Sequence, residues 1–210
     1  MNETGSDQTI RYDSAQGGAG GNERHSLQTY VSDMLALENH IAQPVGRQAS
    51  MDDAAKFTGA LTVIEQIRAF TASHATALEQ CLKQLGGHEA SPLKSGWASL
   101  LGAGAAAIDS MRKTKVSKSL RDDYTALSLA VVSYTMLYTT AVGMGNTSVA
   151  DLAKRHLADY ARLVMAVTQV IPAVVLQELV DDGETVATGA AETIRNETNT
   201  IWKSQSDVTH

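Results

Sequence analysis

The chain has 210 residues, 43% of them hydrophobic but only 5% aromatic, and a net charge of −6 at pH 7. That length supports one domain with a sizeable core. Both signs of charge are interspersed and the net charge is acidic, so no nucleic-acid partner is expected. A lone cysteine, Cys81, excludes an internal disulfide framework and a four-cysteine zinc site. Abundant alanine with three prolines favours helices packed through small side chains over a sheet.

The first residues, "MNETGSDQTI", are polar and acidic and carry no apolar stretch of the secretory kind, so a cytoplasmic protein is expected. Residues 1–21 include "AQGGAGGN" and lack periodicity, as in a flexible arm. Helices are then predicted over about 23–47, 51–86, 92–112, 119–144 and 148–179, with a last one over about 184–203. Their starts are marked by Ser50, Ser119 and Ser148, each followed three residues on by an aspartate. Ser91 before Pro92 marks another. Glycines in "LGGHEAS", "GMGNTS" and "DDGE" mark the ends. Pro172 should kink the fifth helix and free the carbonyl of Thr168.

The long helices carry apolar seams at steps of three and four. They run Leu120, Tyr124, Leu127, Val131, Tyr134, Tyr138 in one helix and Leu157, Tyr160, Val164, Val167, Ile171, Val174 in the next. Two antiparallel pairs joined by a crossover make an all-α four-helix bundle over 22–180, with a short crossover helix and an extra C-terminal helix and tail over 181–210. Residues 124–144 contain no charge and could span a bilayer by length. Six Ser/Thr and three Tyr within them favour a bundle-centre helix over a lipid-facing one.

Two polar residues interrupt these seams. In "VSDMLALENHIAQP", Glu38 shares a stripe with Met34 and Ile41, although a stripe through Tyr30, Met34, Leu37 and Ile41 would leave it lateral. On the second helix, Phe57, Leu61, Ile64, Ile67, Thr71, His74, Leu78, Cys81 and Leu85 form a seam that turns His74 inward. Both sit near mid-helix, where bundle helices meet. A helix-borne Glu and a Glu-x-x-His pair are the building units of carboxylate-bridged dinuclear metal sites. His74 could equally be a core histidine bonded to Glu38 or a tyrosine. His156 and Asp159 could equally be a surface pair. No Gly-x-Ser-x-Gly, Walker or dinucleotide glycine pattern is present, so nucleophilic catalysis has no support.

The helix order, with "VSDMLALENHIAQPV", "SHATALEQCLKQLGG" and "VVSYTMLYTTAVGMGNTSVADLAKRHLADYARL", resembles the YciE/YciF group of ferritin-like bacterial proteins over roughly 26–180. The resemblance implies a ferritin-like bundle that often dimerises, a stress-related role, and a dinuclear metal site. Carried over, Glu38 matches the first-helix carboxylate and His74 the second-helix histidine. The glutamate expected before His74 is Thr71. The carboxylate pair expected on the next long helix falls on Leu127 and Ala130, and the helix after it leaves Asp159 and His156.

The expectation is therefore a ferritin-like structural or stress-associated protein without a complete di-iron centre, acting through self-association as a homodimer or higher oligomer. The alternative is one weakly bound divalent metal (Fe, Mn or Zn) on Glu38, His74 and Asp159 or His156. A membrane-interacting all-α protein is a third reading.

Overall fold

A computed structural model of the chain describes residues 19–49, 52–87 and 115–206. Ser50, the helix expected over 92–112 and residues 1–18 of the expected arm lie outside the described residues. Among the described residues there are six helices: α1 Ala19–Gln48, α2 Asp52–Ala55, α3 Thr58–Gln84, α4 Val116–Gly143, α5 Thr147–Asp181 and α6 Ala190–Ser206. The helix expected to run unbroken over 51–86 is interrupted before Phe57, and the last helix begins at Ala190 rather than 184.

Three hydrogen bonds fix the directions. Gln28 near the start of α1 donates to the Leu85 carbonyl just beyond α3, at 2.8 Å. Gln48 at the end of α1 donates to Asp123 near the start of α4, at 3.0 Å. The Ser117 amide at the start of α4 donates to Glu178 near the end of α5, at 2.9 Å. So α1 and α5 run one way, α3 and α4 the other, and α3 ends at the opposite end of the bundle from where α4 begins. Up-down-down-up with one long crossover is the ferritin-like arrangement. Around the square, α1 packs on α3 and α4, and α5 packs on the same two. The helix α6 lies against α5.

The core follows the seams. Val31, Met34, Leu37, Ile41 and Val45 of α1 face Ile64, Ile67 and Leu78 of α3, and Leu120, Leu127, Tyr160 and Val167 close the other side. The seam residues Tyr124, Val131, Tyr138, Leu157, Val164 and Ile171 lie at its edge, half-buried. Ala130, Ala141 and Ala153 are fully buried, which lets the backbones approach closely.

Two helix starts differ from expectation. Ser119 is buried one turn inside α4, whose start at Lys115 has no side-chain cap; the Glu178 carboxylate of α5 takes the Ser117 amide instead. A carboxylate near a helix start meets the positive end of the dipole whichever helix supplies it. On α5 the cap is Asn146, accepting from the Val149 amide at 3.1 Å, and Ser148 lies in the first turn. The ends are as expected: Gly145 and Gly183 close α4 and α5 at φ 67° and 89°, where a Cβ would be strained.

Among the described residues, α4 and α5 are long and apolar enough to cross a membrane. In the bundle they pack against each other and against α1 and α3.

Candidate functional site

Six side chains from four helices meet at mid-bundle. Glu38 lies between Met34 and Ile41 on the buried stripe of α1, and only 1% of it is exposed. His74 continues the Ile67–Thr71 stripe of α3 and is 2% exposed. Tyr134 of α4 and Tyr160 of α5 are wholly buried, and His156 of α5 nearly so. Asp159 is the member nearest solvent, its side chain 18% exposed.

Glu38 is the hub. Its Oε1 accepts from the Tyr134 hydroxyl and its Oε2 from the Tyr160 hydroxyl. His74 Nδ1 lies 3.2 Å from Oε1, and Nε2 on the other side of the ring lies 3.1 Å from Asp159 Oδ2. Arg162, one turn further along α5, donates to Asp159 Oδ1. His156 stacks on His74 with ring centres 3.8 Å apart and planes 14° apart, and its Nδ1 lies 3.1 Å from the Tyr134 hydroxyl.

The protons follow from the partners. Burial and the Glu38 charge push both tyrosines far above the usual phenol range, so they stay protonated and donate. The Tyr134 proton goes to Glu38, so His156 Nδ1 carries a hydrogen and donates to the phenol oxygen. Burial, then the charges of His74 and Arg155, push His156 down to about 3, which leaves it neutral. His74 faces a carboxylate through each nitrogen, Glu38 at Nδ1 and Asp159 at Nε2, and the exposed Arg162 guanidinium closes the solvent side of Asp159.

This donor set does not fit a dinuclear metal centre. Leu127 and Ala130 are wholly buried where α4 would have to present carboxylates. Thr71, one turn before His74, turns its hydroxyl back onto the Ile67 carbonyl at 2.9 Å. One ion is a different matter. Among the described residues, Glu38, His74 and His156 offer ligand atoms within 4.8 Å of one another. A metal takes an imidazole nitrogen along the ring plane, and two nearly parallel rings aim their lone pairs along lines that do not converge. One ring must turn for both to bind. Asp159 lies across the His74 ring from Glu38, so an ion between Glu38 and His74 Nδ1 does not reach it.

The structure thus brings together all four residues singled out from the sequence: Glu38, His74, His156 and Asp159. It adds Tyr134 and Tyr160 as donors to Glu38. Both were legible as inward seam residues whose hydroxyls needed partners.

Residues 24–180 match the family model described as "Domain of unknown function (DUF892)". The chain belongs to the DUF892 family. A crystal structure of a protein from Xanthomonas campestris pv. campestris is similar to this DUF892 chain, with a TM-score of 0.62 and 20% sequence identity. The match covers 78% of this chain and 100% of that one, and at that identity it shows a shared fold. No curated protein matches.

Proposed function

We propose that this DUF892 chain is a ferritin-like protein of the YciE/YciF kind that has no di-iron chemistry. Its buried centre is a hydrogen-bonded network that fixes how the four helices meet. The protein acts in the cytoplasm as a structural, stress-associated component through self-association. The observation that carries the network reading is Glu38: both its oxygens accept from tyrosines, and His74 links it to Asp159 and, through that, to Arg162. Such a network supplies specificity of packing, because Glu38 and its direct partners His74, Tyr134 and Tyr160 sit on four different helices and a slipped helix would strand a buried polar group.

Self-association is supported by the outer faces. Val132, Met136 and Val142 on α4 are 59%, 50% and 56% exposed. Between them, Thr135 and Thr139 fold their hydroxyls onto carbonyls of their own helix, so these do not seek an outside partner. Ile201 and Trp202 of α6 are exposed as well. Large apolar side chains left this exposed are suited to being covered by a second copy.

A second reading rests on the convergence of Glu38, His74 and His156. These residues would hold one divalent ion (Fe, Mn or Zn), with His156 or His74 turning to present its nitrogen. Ferrous titration with oxygen consumption, followed by elemental analysis, separates the readings. The network reading expects no iron oxidation and no stoichiometric metal. One tightly held ion that disappears in Glu38→Ala and His74→Ala supports the second reading. Two irons per chain with turnover overturns both.

A further inference from the structure

Outside the buried network, the structure has a groove of about 590 Å³ between α3 and α5. Its lining comes from one face of each helix. Ala69 and Phe70 of α3 and Leu163 and Ala166 of α5 supply the apolar part, and Gln66, Ser73 and Arg162 the polar part. The groove adjoins the centre: the Phe70 ring lies 5.8 Å from the His74 ring, and Arg162 is bonded to Asp159. The volume falls in the range of small-molecule sites, which combine apolar lining with a few placed polar groups.

We propose that this groove binds a small apolar monocarboxylate, its carboxylate on Arg162 and its hydrocarbon body on Phe70, Leu163 and Ala166. Arg162 is the one cation in the lining. Its side chain is 68% exposed, and Asp159, reached through Nη2, is its partner among the described residues. A guanidinium carries five N–H donors in a flat fork, so one edge can hold Asp159 while another receives a second carboxylate side by side. The backbone amides of both helix faces are spent within their helices, so the groove offers none of the amide nests that hold phosphate. One positive charge without amide donors suits a monoanion better than a phosphate dianion. The Ser73 hydroxyl, three residues beyond Phe70 on the same α3 face and toward the Asp159 level, can complete the hydrogen bonds of that carboxylate, while Gln66, seven residues from Ser73, borders the far end of the groove beyond the apolar body. Apart from Arg162, which also holds Asp159 at the edge of the network, the groove's lining is separate from the buried centre.

The test compares benzoate with benzyl alcohol, which share the ring and differ in charge, by calorimetric titration of the full chain. Benzoate is expected to bind saturably, one per chain, at least about tenfold more tightly than the alcohol. Arg162→Gln should bring the two affinities to within about twofold while the fold, followed by circular dichroism, persists because the side chain is exposed. Ala166→Leu, which adds bulk on the α5 side of the groove, should weaken benzoate whether or not Arg162 is present. Equal affinities for both probes in the wild type, no saturable benzoate binding, or an unchanged preference in Arg162→Gln would overturn the proposal.

Discussion

The Gln48 amide donates to Asp123 Oδ1 across 3.0 Å at the α1–α4 contact, and the other two polar atoms of this pair, Gln48 Oε1 and Asp123 Oδ2, are buried without a partner. A proton on Oδ2 would turn it into a donor facing an amide that still needs one. Burial pushes the Asp123 carboxyl up from 3.8 to about 7, Gln48's donation opposes that, and the neighbouring Asp122 charge adds to it. A folded-state value raised above the unfolded one stabilises at low pH. The contribution is full below about pH 3.8 and is lost as pH climbs through 7.

Asp123→Asn should remove that loss. Its amide can donate to Gln48 Oε1 and accept from Nε2, as Gln169 and Asn199 exchange bonds between α5 and α6. We expect the variant to be more stable than wild type at pH 8 by about 1–3 kcal/mol. At pH 3.5 the two should be nearly equal. Urea midpoints measured across this range check it, and a variant less stable at pH 8 would show that the pair is solvated.

The pair also shows where sequence reading stops. Periodicity identified the stripe through Met34, Leu37 and Ile41, which is buried, because burial alone decides which residues it holds. Gln48 is three residues past Val45 and Asp123 four before Leu127, so both lay on readable stripes. What periodicity does not encode is which polar residue on one stripe meets which on another. That depends on the axial shift between helices, and Gln48 and Asp123 are 75 residues apart. The same holds at the centre. His74 was legible as an inward polar residue and Glu38 as one that two stripes placed either inward or lateral, whereas the stacking of His156 on His74 needed the relative height of α3 and α5. Helix starts were misplaced for a different reason. Ser-x-x-Asp is compatible with a cap but also with a helix interior, and at Ser119 packing extended α4 a turn upstream.

Tyr134 and Tyr160 each give Glu38 a hydrogen bond in the wholly buried centre. Replacing either by Phe keeps the ring and leaves a carboxylate oxygen short of a donor. Each substitution should cost about 1–3 kcal/mol. The costs should not add to that of Glu38→Gln, because all three act on one group. A double-mutant cycle on denaturant stability between Tyr160→Phe and Glu38→Gln should therefore show a coupling of about 0.5 kcal/mol or more. Additive effects would mean that the carboxylate is held by something else.

Leu127 is wholly buried on α4 among core side chains. Leu127→Asp places an unpaired charge there, at a cost of several kcal/mol against a total stability of about 5–15. The variant should be unfolded by circular dichroism at pH 7. A native-like spectrum and melting curve would refute the assignment of Leu127 to the seam.

The helix α6 is joined to α5 by the Gln169–Asn199 amide pair. Its apolar stripe is only partly covered. Val186, in the turn before it, and Ala190 are half-buried, while Ile194, Ile201 and Trp202 remain exposed. Removing residues 184–210 should lower the melting temperature by a few degrees, the effect of about 1 kcal/mol in a domain of this size. An unchanged melting curve would make α6 an appendage with no part in stability.

Self-association is tested on the two exposed surfaces separately. Met136 on α4 and Trp202 on α6 are 50% and 44% exposed, so a charge at either position should leave the monomer's fold intact. If α4 forms the interface, Met136→Glu should shift the sedimenting species toward monomer, because a carboxylate set between apolar surfaces has no partner there. Trp202→Glu should then leave the species unchanged. The reverse pattern would move the interface to α6. Both variants sedimenting as wild type, with the wild type monomeric at micromolar concentration, would remove self-association from the proposed function. The same variants address the bilayer alternative, since α4 and α5 are long and apolar enough to cross one. Association between copies expects a discrete oligomer without detergent and no cosedimentation with neutral or anionic vesicles. Vesicle binding by wild type that Met136→Glu abolishes would assign the same α4 face to lipid instead.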